Sequence, residues 1–501
     1  MRIDPEGNPL PARPLGQLRP AGAFFEGVLA FPGAETHTFA AGGNTATYSG
    51  NRYGAPISVG GVLTLGNPDF LGHWPSAAYS PAEVQTAYGL SAVYNSGYEG
   101  TGETIVIIDA YGSPTITDDA ALFSQIYGLP PVNLTIVRAP GLPHNPHGEG
   151  GWDVETTLDV EWAHAIAPDA NIVLVYGSGN SLPEAINYAV VHHFGNTISN
   201  SWAGPEDVGS QGYYRHINRI LEMAAAQGID VNFSSGDFGD NTPLVGFVSA
   251  DFPPSSPFAT GVGGTSLALN SDGMINFQTG WGTNATRVAD ISPSGGILLD
   301  DNPPIIPPVS LGFFGGSGGG ESVLFAQPSF QNGFVPVGNR MVPDISWLAD
   351  PMTGVEIIQT IGGVPSVEII GGTSLSCPMF SGLMAIAAQK NGHVGLGQAA
   401  ALVYGLGGGA VTDIVPKDGS PNNVTGTVTG NVNTSYSADF LAQPLVNTTT
   451  YYNALYNSEI STRWLVVTFG TDTSLTTGPS WDNVTGLGTP NGLAFINAIA
   501  P

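Results

Sequence analysis

The chain has 501 residues, 42% of them hydrophobic, with 70 Gly and 40 Pro. That length fits one large core or two ordinary ones joined by many loops, and the composition excludes disorder throughout. Its 12 Lys and Arg stand against 40 Asp and Glu, a formal net charge of −28, so nucleic acid and anionic membranes are not expected partners.

The acidity serves solubility in any case, but the scarcity of bases says more. Once the carboxylates are protonated, only 12 Lys and Arg and 9 His carry charge, so the chain avoids the cationic self-repulsion that drives acid unfolding. One cysteine, Cys377, excludes an internal disulfide framework, and no stretch approaches the ~20 apolar residues of a membrane span. The first residues, MRIDPEGNPLPARPLGQL, hold no apolar leader region, which leaves secretion to another route or to residues preceding these. Six sequons, at Asn133, Asn284, Asn423, Asn433, Asn447 and Asn483, are what chance gives a chain rich in Asn, Ser and Thr.

Residues 1–77 are rich in Gly, Pro and Ala with only short strand-like runs, and read as an N-terminal extension or pro-segment remnant. From YSPAEVQTAYGL the texture changes, and residues 78–501 read as one domain. ETIVIIDAYGS predicts a strand buried on both faces, and DDAALFSQIYGLP a helix with a Gly-Pro stop. Then come strand NIVLVYG, helix SLPEAINYAVVHHFG, strand TISNSW, helix HINRILEMAAAQG and strand DVNFSSG. Repeated βαβ units of this kind predict an α/β fold with a mostly parallel sheet flanked by helices.

GGTSL occurs twice. The first copy, Gly263 to Leu267, runs into alternating apolar residues before a turn, so Ser266 belongs to a hairpin strand whose glycines permit close packing. The second, Gly371 to Leu375, precedes SCPMFSGLMAIAAQKNG, an apolar helix with Pro378 suited to its first turn. A serine there meets free N–H groups that stabilise charge on an attacked carbonyl, which makes Ser374 the nucleophile candidate beside its ordinary reading as a helix cap.

A serine nucleophile needs a base. Between the first two core strands, GWDVETTLDVEWAHAIAPDANIVLVYG has a subtilase-like tail but acids where a subtilisin-like chain would hold histidine. Glu155, Asp159, Trp162 and Ile166 share one helical face, so two carboxylates head an apolar stripe; such a pair shares a proton over part of the acidic range. The plainer alternative is a solvated acidic face, with Asp153 and Glu161 nearby. Asp237, in the loop after DVNFSSG, sits where parallel sheets build active sites and would donate to an oxyanion if protonated; Gly-Asp turn chemistry is its ordinary reading. The histidine pairs His144/His147 and His192/His193 fall in a loop and near a helix end, where solvent exposure is expected.

Taken in order, YSPAEVQTAYGL, ISNSWAGPE, SSGDFGD, FPPSSPFATGVGGTSL, GSGGGESVLFAQPSFQ and GNRMVPDISWLADP resemble the sedolisins, or serine-carboxyl peptidases, from about Tyr79 to the C-terminus. The resemblance implies a subtilisin-like fold and a secreted, monomeric peptidase acting in acid on proteins or peptides. Ser374 would be the nucleophile, Glu155 the general base, Asp159 its orienting acid and Asp237 the oxyanion donor. It also implies one structural Ca²⁺ in a C-terminal region, held by the carboxylates of Asp413 and Asp482 and the carbonyls of Ile414, Gly478 and Ser480. Hard oxygen donors of this kind suit calcium.

Asp109, at the end of IVIIDAYG, falls at the subtilisin aspartate position, and Trp202 falls near the acid network; Asp109 reads equally well as a turn cap. Two departures stand out. Gly371 replaces the usual first serine of the nucleophile motif, and Ser480 a usual glycine. The family's precursors carry a folded prodomain longer than residues 1–77, which do not resemble one. A silent pseudo-peptidase or binding protein on the same fold is the alternative, and a Ser-His-Asp hydrolase is disfavoured by the missing histidine motif.

Overall fold

The computed structural model describes residues 35–53 and 78–501, apart from 139–140, 142–147, 180, 271, 291–292, 295–296, 299–302, 418, 420–422, 446–449 and 459–462. His144, His147 and Asn447 lie outside the described residues.

In chain order the elements that matter are β1 (Glu35–Ala41), β2 (Asn44–Gly50), β3 (Thr104–Ala110), α1 (Ile116–Tyr127), β4 (Asn133–Val137), α2 (Trp152–Ile166), β5 (Asn171–Gly177), α3 (Leu182–His192) and β6 (Thr197–Asn200). They continue with α4 (Gln211–Ala226), β7 (Asp230–Ser234), β8 (Thr260–Leu269), β9 (Ile275–Gly280), β10 (Ile345–Leu348), β11 (Val355–Ile361), β12 (Val364–Ile370), α5 (Thr373–Lys390), β13 (Thr425–Gly430) and β14 (Thr434–Tyr436).

The central sheet runs β4-β5-β3-β6-β7-β8-β9, with β10 also paired to β8. Every pairing is parallel except β8 with β9. Ile105 to Ile108 of β3 are fully buried, as an apolar run covered on both faces must be. The core divides accordingly: α2 and α5 contribute Trp162, Ile166, Phe380 and Leu383 to one cluster, while α3 and α4 contribute Ile186, Ile217 and Leu221 to another. The first GGTSL copy lies in β8, paired antiparallel to β9. A Cβ on Gly264 would come within 2.5 Å of Ala349 Cβ, so close packing does explain that glycine.

α5 is buried almost all round, the mark of a helix without a solvent face. It lies along α2, where a Cβ on Gly382 would be 3.0 Å from Ile166 Cβ. That close approach, midway along α5 and at the end of α2, sets their first turns side by side. Pro378 differs from the sequence expectation: the helix starts at Thr373, so proline sits in the second turn and removes an internal hydrogen bond.

Residues 35–50 join a four-stranded sheet in the order β1-β2-β13-β14, so β2 is an interior strand. Phe39, Ala46 and Tyr48 are buried there with Val428, Trp464 and Val466, and Phe39 meets the Trp464 ring edge-on at 5.3 Å. The sequon at Asn284 is closed to modification, because its buried amide donates to Gln443 O and Thr471 Oγ1. His192 and His193 end α3 on the surface as expected.

Candidate active site

Ser374 lies in the first turn of α5, entered through Gly372 at φ +107. Only glycine takes that conformation freely, and a Cβ there would stand 2.9 Å from Asp237 Oδ2. Asp237 follows β7 and is clamped by the residue before the serine: Thr373 N–H and Oγ1 donate to its Oδ1 at 2.7 and 2.8 Å. Thr373 Oγ1 also accepts from Gly236 N–H at 3.1 Å, stitching the loop to the helix start. With Oδ1 filled by donors, Oδ2 over Gly372 is the oxygen left to carry a proton. Burial raises the Asp237 pKa above the ordinary carboxyl range, against the lowering pull of Thr373.

Glu155 enters from the first turn of α2 and Asp159 from the next. Burial pushes Glu155 up to about 8; the Ser374 and Ser201 hydroxyls favour its ionised form, and the charges of Asp109 and Asp237 oppose it. Asp159 is fully buried and raised well above its usual value by desolvation, then by Asp109 and Glu155. Its Oδ1 accepts from Ser201 Oγ at 2.8 Å, while Oδ2 has no hydrogen-bond partner among the described residues.

Asp109 settles between its two sequence readings. Its side chain is fully buried, neither oxygen caps a turn, and burial pushes its pKa to about 7 beside Asp159, so it extends the carboxyl chain. Trp202 donates from Nε1 to Ile108 O at 3.2 Å, one residue before Asp109, and packs edge-on to Phe233. The solvated-face reading of α2 fails at Glu161, which is fully buried with Oε2 accepting from Ile358 N–H at 2.9 Å. That bond caps the outer edge of β11, where Asp119 likewise accepts from Thr360 N–H.

The structure therefore gathers Ser374, Glu155, Asp159 and Asp237 from three separate elements into one centre. Among the described residues no histidine hydrogen-bonds any of the four. The sequence reading missed Ser201 and Thr373, both small hydroxyl residues inside strand-end and helix-start motifs, where nothing in the local pattern marks them out.

The residues expected to hold calcium come from two other segments, 413–414 and 478–482. Asp482 Oδ2 accepts from Gly478 N–H at 3.1 Å, and Asp413 Oδ2 from Ser480 N–H at 2.9 Å, so both carboxylates close on the 478–482 loop. Ser480 has φ +66, the left-handed conformation that favours the glycine expected there. Burial pushes Asp482 to about 6, against the lowering pull of its hydrogen bonds from Thr485, Gly478 and Val484. Two hard carboxylates brought to one loop from separate segments fit a calcium ion supplemented by carbonyls, though Asp482 already accepts from Gly478, Val484 and Thr485. Among the described residues no group of three His, Cys, Asp or Glu forms a metal cluster.

No family model matches the chain. Kumamolisin of Bacillus sp. (strain MN-32) is 29% identical over 440 residues, 85% of this chain and 64% of that protein. Sedolisin of Pseudomonas sp. (strain 101) is 30% identical over 341 residues, 65% of this chain and 53% of that protein. The chain thus spans between 53% and 64% of the length of these relatives. The solved structure of Pseudomonas sedolisin, a serine-carboxyl proteinase complexed with two molecules of pseudo-iodotyrostatin, superposes with a TM-score of 0.61 at 25% identity, covering 84% of this chain and 98% of that one. Among the described residues no helix is long and apolar enough to cross a membrane.

Proposed function

Since the chain belongs to the sedolisin family, we propose that it is a secreted, acid-acting serine-carboxyl peptidase that cleaves proteins or peptides through an acyl-enzyme. The convergence of Ser374 with the proton-sharing carboxyls of α2 carries this reading. Glu155 takes the Ser374 proton as Oγ attacks the peptide carbonyl, and returns it to the leaving amine. Asp159 and Asp109 keep a proton beside Glu155 and set its orientation. Asp237, protonated on Oδ2, donates to the tetrahedral oxyanion together with the N–H of Ser374.

This chemistry needs Asp237 neutral and one proton within the Glu155–Asp159 pair. Asp237 is neutral in acid, while the pair holds a single proton between its first and second ionisations, and both conditions lapse as pH rises past the raised values, about 8 for Glu155. Cleavage of a denatured protein substrate from pH 2 to 8 is expected to be confined to acid. A rate undiminished at pH 8 would sink the carboxyl mechanism, and no cleavage anywhere would favour the silent alternative.

Calcium, when bound, would be held by Asp413 and Asp482 and the carbonyls of Ile414, Gly478 and Ser480, supplying charge that ties residues 413–414 to the 478–482 loop. Ligand linkage at 100-fold saturation is worth about 2.7 kcal/mol, so chelation is expected to lower the melting temperature by about 3 °C. An unchanged melting curve with chelator and with added Ca²⁺ would remove calcium from the account.

A further inference from the structure

The carbonyl oxygen of Ser374 has lost its helical partner. Helix geometry assigns it the N–H of residue 378, and that residue is proline. In its place Ser201, just beyond β6, brings its hydroxyl to 3.2 Å from the Ser374 carbonyl. The same hydroxyl donates to Asp159 Oδ1 at 2.8 Å and reaches Glu155 as well. A serine has one proton to give. A neutral carbonyl therefore competes for it with a titratable carboxyl pair.

The surroundings of Asp159 make that competition matter. Asp109 faces it from β3, Glu155 from the preceding turn of α2, and the Cys377 thiol from α5. The two carboxyls disfavour a negative charge on Asp159, and Ser201 is the contact that favours one. Ser201 is itself almost fully buried, so no bulk water replaces its proton.

We propose that Ser201 is a positioning residue whose single proton is divided between Asp159 and the Ser374 carbonyl, and that Pro378, by withholding a helical donor, keeps Asp159 protonated to higher pH. An ionised carboxylate is the stronger acceptor and captures the Ser201 proton. Ionising Asp159 then takes the side-chain donor from the nucleophile's own part-buried carbonyl, which costs free energy. The acid preference of the pair is thus tied to the backbone of the residue it activates. This inference rests on the peptidase reading above, in which the pair must hold a proton.

Two substitutions are expected to move the pair in opposite directions. Pro378→Ala restores an N–H to the Ser374 carbonyl and frees Ser201 for Asp159, so the high-pH limb of kcat/KM moves down by roughly half to one pH unit. Ser201→Ala removes the donor, and the limb moves up by a similar amount. A purely structural role would lower the rate without moving the limb.

The Asp159 carboxyl is also followed directly by infrared difference titration, its protonated band identified through its loss in Asp159→Asn. Opposite displacements in the two variants support the inference. The same displacements in a protein that cleaves nothing would uphold the coupling and dismiss the peptidase reading. An unmoved limb and an unmoved band in Pro378→Ala overturn the inference, and this variant decides alone if Ser201→Ala does not fold.

Discussion

Ser374→Ala is expected to lower kcat in acid by a factor on the order of 10⁴ to 10⁶, the scale on which removing a serine nucleophile acts in enzymes whose catalytic residues work as a unit. The loss is chemical. The Ser374 side chain is partly exposed at the helix start, whereas the contacts that hold this corner are made by Thr373, Gly372 and Ser201. The variant should therefore melt within about 2 °C of the parent, since what it loses is one side-chain hydrogen bond to Glu155, worth about 1 kcal/mol. Steady-state cleavage beside a melting curve checks both halves. A variant that keeps its rate would show that another group attacks, and one that loses both rate and fold would leave the assignment to a covalent aldehyde probe.

Stability is expected to fall steeply as pH rises from 4 to 8. Burial lifts Asp230 to about 6, Asp109 and Asp251 to about 7 and Glu155 to about 8, and raises Asp159, Glu161, Asp237, Asp350 and Asp472 in the same direction. Each group binds its proton more tightly folded than unfolded, where carboxyls titrate near 4. The folded state then holds more protons, and its advantage is full below pH ~4 and lost as pH climbs through the folded values. One carboxyl displaced from about 4 to about 7 costs on the order of 4 kcal/mol by pH 8. Domains rarely have more than ~15 kcal/mol in all, so a few such groups decide the outcome. We expect the melting temperature to drop by more than about 10 °C between pH 4 and pH 8. A level or rising curve would mean that the buried acids find partners on ionising.

Much of this centre was legible in the sequence because its residues stand in local patterns. Glu155 and Asp159 declare one helical face by their spacing, Ser374 precedes an unmistakable buried helix, and Asp237 closes a strand with glycines. The mostly parallel sheet flanked by helices followed from the alternation of apolar runs and amphipathic stretches. What escaped was set by contacts distant in the chain. Asp109 joins the acid network only because β3 lies beside α2, and Glu161 is buried only because β11 packs against it with an open edge to cap. Ser201 shows its role solely in three dimensions, against a helix 173 residues away. The position of Pro378 was misjudged by a turn, because the helix begins at Thr373 with no side-chain cap to announce it.

The placement of β2 also bears on how the chain is made. Ser49 and Thr425, neighbours across the β2–β13 pairing, are 376 residues apart. At ~5–20 residues per second a ribosome needs roughly 20 to 75 seconds to deliver the partner. Throughout that interval Phe39 and Tyr48 have no sheet to enter, and the growing chain carries an open aromatic strand of the sort that recruits other chains. These early strands wait for a partner made some 376 residues later, so yield in the cell depends on how well they are shielded in the interval.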